Sequence, residues 1–257
     1  MIEEFEPPAF SGVIREARGL IELPRLLLHS PALALQPRGH REPVLIYPGY
    51  GAGDGSTAIL KGYLRLLGYH ARGWGLGRNR AKVGDSLPPL LKRLASFSRR
   101  SKQKVTLIGW SFGGYLAREL AREWPDLVRQ VITLGTPVVG GPKYTVVGER
   151  YRKRGIDIEA IAAEVERRNQ AACLTIPVVA IYSRADTFVA WQACIDHQTP
   201  DVEHVEVGTT HLGLGFSPEV YRIIAQRLAQ ANQRARKEND EKPRPRKGVR
   251  LTPRQQR

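Results

Sequence analysis

No stretch of 18 or more apolar residues without a charge occurs in the 257-residue chain, so a membrane-spanning helix is not expected. The mean hydropathy is negative, in line with that exclusion. The opening residues, Met1-Ile2-Glu3-Glu4-Phe5-Glu6, are acidic where a secretory signal is basic and then apolar. A cytoplasmic location is therefore expected. Cysteine is scarce: Cys173 and Cys194 are the only two. They flank the apolar run 176–182 and its following loop, close enough in sequence to approach each other, yet two free thiols are expected in a reducing compartment. No group of His, Cys and Asp has metal-ligand spacing, so neither a metal nor another cofactor is expected. No internal repeat is evident, and the length suits one large α/β domain better than two small ones.

What the chain has in excess is positive charge, 40 Lys and Arg against 25 Asp and Glu. Its distribution argues against a nucleic-acid surface. Residues 231–257 hold ten Lys/Arg and three Asp/Glu, a net of +7 out of +15, together with Pro243, Pro245 and Pro253 and few apolar residues. This composition reads as a disordered basic tail, suited to loose contact with anionic surfaces rather than to specific nucleic-acid binding. The 42% of hydrophobic residues is enough for a full core in what precedes it.

That remainder alternates apolar β runs with amphipathic helical patterns. Residues 10–35 carry Val13, Ile14, Leu20, Ile21, Leu23 and Leu26 to Leu28, broken by Pro24 and Pro31, which predicts two short helices. They are expected to pack on the domain, with in-plane anchoring to a membrane the less common alternative. Strands are expected at 43–47, 69–74, 105–108, 130–134, 177–182 and 202–207, and helices at 57–67, 85–100, 115–124 and 219–234. The rhythm breaks at 138–175, a loop and then an Arg/Glu-rich helix. Such alternation implies a mostly parallel sheet covered on both faces.

The sharpest motif is Gly109-Trp110-Ser111-Phe112-Gly113-Gly114, between the run 105–108 and the helical pattern that starts at Tyr115. Strand, tight turn with a serine at its tip, then helix is the layout of a nucleophile elbow. Glycines two positions either side leave room for the strained serine, and the turn aims the Phe112 N–H, at the positive end of a helix, at charge forming beside the hydroxyl. A serine nucleophile needs a base and a carboxylate to orient that base, in the order acid then histidine, each after a strand. Asp186, after the strand at 177–182, and His211, after the strand at 202–207, meet that order. His197 and His204 lie beside or within the last strand; His29, His40 and His70 precede the elbow; Asp196 and Asp201 are rival acids away from a strand end. A second oxyanion donor is expected from the loop Pro48-Gly49-Tyr50, as the backbone N–H of Tyr50.

Taken together, the elbow, the Pro48-Gly49 loop, Asp186 and His211 make the chain resemble the α/β-hydrolase superfamily over residues 43–228. The segments Leu45-Ile46-Tyr47-Pro48-Gly49-Tyr50, Gly73-Trp74-Gly75-Leu76-Gly77-Arg78-Asn79, Tyr182-Ser183-Arg184-Ala185-Asp186 and His211-Leu212-Gly213-Leu214-Gly215 resemble a bacterial esterase/lipase-like subgroup, and also the lipase branch with inositol-deacylase-like proteins. Pro48-Gly49 stands where His-Gly is commoner, a change that a backbone donor tolerates. The resemblance implies an α/β-hydrolase fold with a small cap insert at about 138–175; with the helical pattern before it and the basic composition after it, the expected layout is an N-terminal helical segment at 1–40, the domain proper at 41–230 and a tail at 231–257. It implies hydrolysis of a carboxylic ester through an acyl-enzyme on Ser111. Tyr50, Trp110, Phe112, Phe188 and Trp191 favour an apolar, lipid-like acyl ester as the substrate. Two readings stay open beside it: an acyltransferase with the same triad, and a non-catalytic interaction protein. Nothing in the sequence bears on oligomeric state.

Overall fold

Six apolar runs become the strands of one sheet: β1 (Pro43–Tyr47), β2 (His70–Gly73), β3 (Val105–Trp110), β4 (Val128–Leu134), β5 (Val178–Tyr182) and β6 (Val202–Glu206). All neighbours are parallel, in the order β2-β1-β3-β4-β5-β6. The structure is a computed structural model that describes residues 5–8, 10–80 and 83–241. Within it β1, β3 and β5 are buried at every position, as continuous apolar strands covered on both faces must be.

Alternate residues of each strand serve opposite layers. Val44, Ile46, Ile108 and Ile132 pack with α1 (Glu22–Leu28), α2 (Ser30–Ala34), α3 (Ala58–Leu66) and α8 (Pro218–Glu241), through Leu26, Leu33, Leu60, Leu64 and Ile224. Leu45, Tyr47, Leu107 and Val131 pack with α4 (Val83–Ser101) and α5 (Phe112–Glu123), through Leu90, Leu94, Leu116 and Leu120. The expected cap insert contains α6 (Val146–Arg152) and α7 (Ile158–Ala171). Thr145 caps α6 by accepting from the Val147 N–H, and Asp157 caps α7 by accepting from the Ala160 N–H at 2.9 Å.

The N-terminal segment differs from the expected pair of helices in one respect. Residues Phe10–Ile21 form a 3-10 helix that runs directly into α1. A close approach explains the tighter winding: a Cβ at Gly19 would sit 2.5 Å from Thr210 Oγ1 and 2.6 Å from the Gly213 nitrogen. Pro24 and Pro31 fall in the first turns of α1 and α2, where a missing N–H costs little. At the other end α8 continues through 231–241, residues that the composition assigned to the tail. The remainder of that tail, 242–257, lies outside the described residues.

From β1 the chain moves outward to β2, then crosses back to place β3 on the other side of β1. The carboxyl ends of β1 and β3 therefore flank a topological switch point, where an open α/β sheet leaves a crevice. The carboxyl ends of β3, β5 and β6 lead directly into Ser111, the Asp186 loop and the His211 loop.

Candidate active site

Ser111 has φ 54° and ψ −125°, a backbone conformation rare for a residue with a side chain. The turn is fixed from several directions. The Ser111 N–H donates to the Leu134 carbonyl at 2.7 Å, and the Ser111 carbonyl accepts from the Gly114 N–H and the Thr136 hydroxyl, both at 2.9 Å. The flanking glycines are spatial requirements. A Cβ at Gly109 would fall on Gly114, and one at Gly113 would fall on the Tyr47 carbonyl and 2.6 Å from that of Pro48. The first turn of α5 is thus pressed against the end of β1.

The acid and the base meet. His211 Nδ1–H donates to Asp186 Oδ2 at 2.6 Å, and both side chains are buried. The other carboxylate oxygen of Asp186 accepts the N–H groups of Phe188 and Val189, each at 2.8 Å, so its orientation is set by backbone. With Nδ1 protonated, Nε2 is left as the acceptor. Burial alone lowers the His211 pKa, but the charge and hydrogen bond of Asp186, with the charge of Glu16, outweigh it and raise the pKa. Among the described residues the Ser111 hydroxyl makes no hydrogen bond to His211 in this conformation.

Neither the Phe112 nor the Tyr50 N–H has an acceptor among the described residues. Their loops lie close: a Cβ on Gly49 would sit 3.3 Å from Ser111 Cβ. The Tyr50 loop is held by residues of the turn after β2. Asn79, fully buried, donates from its side chain to the Pro48 carbonyl at 2.9 Å. It also exchanges backbone hydrogen bonds at 2.8 Å with Gly51 and Ala52. Arg78 Nε donates to the Gly51 carbonyl at 2.7 Å. Tyr50 meets Tyr151 of α6 edge to face, with ring centroids 6.4 Å apart, so the cap reaches this loop.

Sequence reasoning missed Glu16. Its carboxylate is buried and joins the Asp186 and His211 loops: Oε1 accepts the Thr187 N–H at 2.8 Å and its hydroxyl at 2.7 Å, and Oε2 accepts the Leu212 N–H at 2.8 Å. Burial pushes its pKa up, but these hydrogen bonds prevail and hold it below the usual value. Glu22 accepts from the Thr209 hydroxyl at 3.0 Å, and the Ser183 hydroxyl donates to the Thr209 carbonyl. A three-residue spacing of Glu16, Gly19 and Glu22 was the only available signal, and it resembles an ordinary charged surface.

The rival residues have other duties. Asp196 forms a buried ion pair with Arg118 of α5 at 2.6 Å, and the Asp196 N–H donates to His204 Nε2 at 2.9 Å. His70 packs edge to face on Phe97. Of the aromatic residues, Phe188 lies 5.4 Å from the His211 ring, and Trp110 Nε1–H donates to the His211 carbonyl at 3.2 Å. The rings of Phe112 and Trp191 instead stack on Tyr115 and Tyr182. Cys173 is exposed and Cys194 buried, and both are free. A cavity of about 680 Å³ lies between the cap and the 191–198 segment, lined by Val138, Val139, Trp191 and His197 and away from Ser111. Among the described residues no group of His, Cys, Asp and Glu is arranged to hold a metal ion, and no helix is long and apolar enough to cross a membrane.

No family model and no curated protein sequence matches the chain. Solved structures do. It is similar to a structure of the metagenome-derived lipolytic enzymes LipS and LipT, with a TM-score of 0.60 and 14% identity, over 77% of this chain and 96% of that one. A putative aryl esterase from Burkholderia cenocepacia matches with a TM-score of 0.54 and 16% identity over 77% and 94%. The monoacylglycerol lipase of Paleococcus ferrophilus matches at 0.52 and 18% over 76% and 97%. With the parallel sheet and the positions of its loops, these likenesses establish the α/β-hydrolase fold for this chain.

Proposed function

We propose that the protein is a serine hydrolase that cleaves a carboxylic ester with an apolar, lipid-like acyl group. One observation carries the reading: the buried His211–Asp186 pair stands at the same carboxyl end of the sheet as a serine held at φ 54°. Backbone strain of this kind is concentrated at functional positions. The lipolytic and esterase activities named for the similar structures, and the Phe188 ring beside His211, support the ester and its apolar acyl side. Two free cysteines support a reducing, cytoplasmic setting.

In this mechanism the triad closes as substrate seats, since catalytic hydrogen bonds are often long before binding. Ser111 Oγ attacks the acyl carbon while its proton passes to His211 Nε2. The imidazolium is stabilised by Asp186, and the carbonyl oxygen, now an anion, accepts the N–H groups of Phe112 and Tyr50. His211 returns the proton to the departing alcohol, leaving an acyl-serine. Water, deprotonated by His211, attacks that acyl group, and collapse releases the acid and restores Ser111.

The test is Ser111→Ala on a p-nitrophenyl ester chain-length series, with fluorophosphonate labelling of the unsubstituted protein. Turnover should fall by about 10⁴-fold, and Ser111 should carry the label. A loss of less than about tenfold, or no labelling, overturns the proposal. Product analysis with competing alcohols separates hydrolysis from acyl transfer.

A further inference from the structure

Ten large hydrophobic side chains are exposed among the described residues, and six of them fall between residues 14 and 35: Ile14, Leu20, Ile21, Leu27, Leu28 and Leu35. Their exposure runs from 52% at Leu20 to 86% at Leu35. Exposed leucines are ordinary when scattered, but a concentration in one segment signals a surface that something covers.

The winding of the segment explains the concentration. A 3-10 helix repeats every three residues, so positions three apart form straight rows. One row, Glu16, Gly19 and Glu22, is buried against the loops of Asp186 and His211. The next two rows face outward: Ile14, Ala17 and Leu20, then Arg15, Arg18 and Ile21. Seven residues beyond Leu20 and Ile21 come Leu27 and Leu28, two turns further along the same side of a helix that continues without a break.

Charge on this face has one sign. The exposed charged residues from 14 to 41 are Arg15, Arg18, Arg25, Arg38 and Arg41, while Glu16, Glu22 and Glu42 are buried. Arg25 also pairs with Glu22 at 3.0 Å. The helix α8 packs on α1 and α2, and the charges of its residues 231–241 balance. Apolar rows flanked by arginine along the length of a surface helix suit an anionic lipid surface, which accepts leucine between its headgroups and arginine at their phosphates. A second copy of the chain fits less well, because a two-fold contact opposes this row of arginines to itself.

The geometry points to an in-plane docking face, residues 14–28, by which the protein binds an anionic lipid surface. The face lies on the reverse of the row that clamps the triad loops, and its binding stands apart from whether Ser111 cleaves esters.

The experiment is co-sedimentation of the full chain with phosphatidylcholine vesicles, with and without one-third phosphatidylserine, at low and high salt. Two variants are compared: Ile14→Ser/Leu27→Ser/Leu28→Ser and Arg15→Glu/Arg18→Glu. Circular dichroism confirms that each is folded, which is expected because every altered side chain is exposed. The unsubstituted protein and Ser111→Ala should bind the anionic vesicles equally, and salt should weaken binding. Each surface variant should bind at least about tenfold less. The proposal is overturned if the chain ignores anionic vesicles, or if both folded variants bind like the parent. It is also overturned if the leucine variant changes a dimer to a monomer, read by size-exclusion chromatography with light scattering, without changing vesicle binding.

Discussion

At the scale of single residues, the base of the proposed triad is governed by two carboxylates. Asp186 holds Nδ1 of His211, and Glu16 adds its charge from the far side of both loops. Because the His211 pKa is raised, its neutral and basic form appears only above the ordinary histidine value of about 6.5. The acid limb of the kcat/KM profile should therefore lie above that value. Glu16→Gln removes one of the charges that raise it and presents an amide donor to a backbone N–H. The acid limb should shift to lower pH while kcat falls, and a pH–rate profile measures both. An unmoved limb with lowered kcat would leave Glu16 a purely structural clamp. The strained turn at Ser111 and the meeting of Asp186 with His211 could be anticipated from the sequence because strand ends mark such positions. Glu16 could not, because only folding brings it 171 residues away to Thr187.

At the scale of elements, the decisive contact is between the start of α5 and the end of β1. Gly113 is legible as part of a motif, but the reason for it is tertiary: its missing Cβ leaves space for two carbonyl groups of the β1 strand and loop. Gly113→Ala must push α5 and the Tyr50 loop apart. It should destabilise the protein by about 1–3 kcal/mol, as overpacking does, read from urea unfolding midpoints. Fluorophosphonate labelling of Ser111 should fall with it, because the Phe112 and Tyr50 donors then separate. The tail boundary shows the limit of composition as a guide. Polar and charged residues at 231–241 look disordered alone, yet they continue a helix whose earlier turns are anchored by Val220, Ile224 and Leu228.

At the scale of the whole molecule, buried carboxylates tie distant segments together and make stability depend on pH. Burial raises the Asp196 pKa, but the Arg118 charge and local hydrogen bonds prevail and lower it to about 2; Glu16 is also lowered. Each binds protons less readily folded than unfolded, so its contribution is complete above the unfolded value near 4. It is lost as the pH falls through the folded value. His211 acts in the opposite sense, its contribution fading as the pH rises through its raised pKa. Urea unfolding should therefore show stability falling between about pH 5 and pH 2. Asp196→Asn should flatten that fall and cost about 3–5 kcal/mol at neutral pH, because it leaves the Arg118 charge buried and unpaired.

The sequence by itself determined the parallel sheet, the tight turn at Ser111 and the strand-end positions of Asp186 and His211, because apolar runs, glycine spacing and strand ends are local signals. It also determined the basic excess. Only the tertiary structure decided that Glu16 joins the Asp186 and His211 loops, that Asp196 serves Arg118, and that Leu20, Leu27 and Leu28 face outward while Leu26 is buried. Those outcomes depend on which surfaces meet, and a carboxylate or a leucine reads the same in sequence whether the fold buries it or leaves it bare.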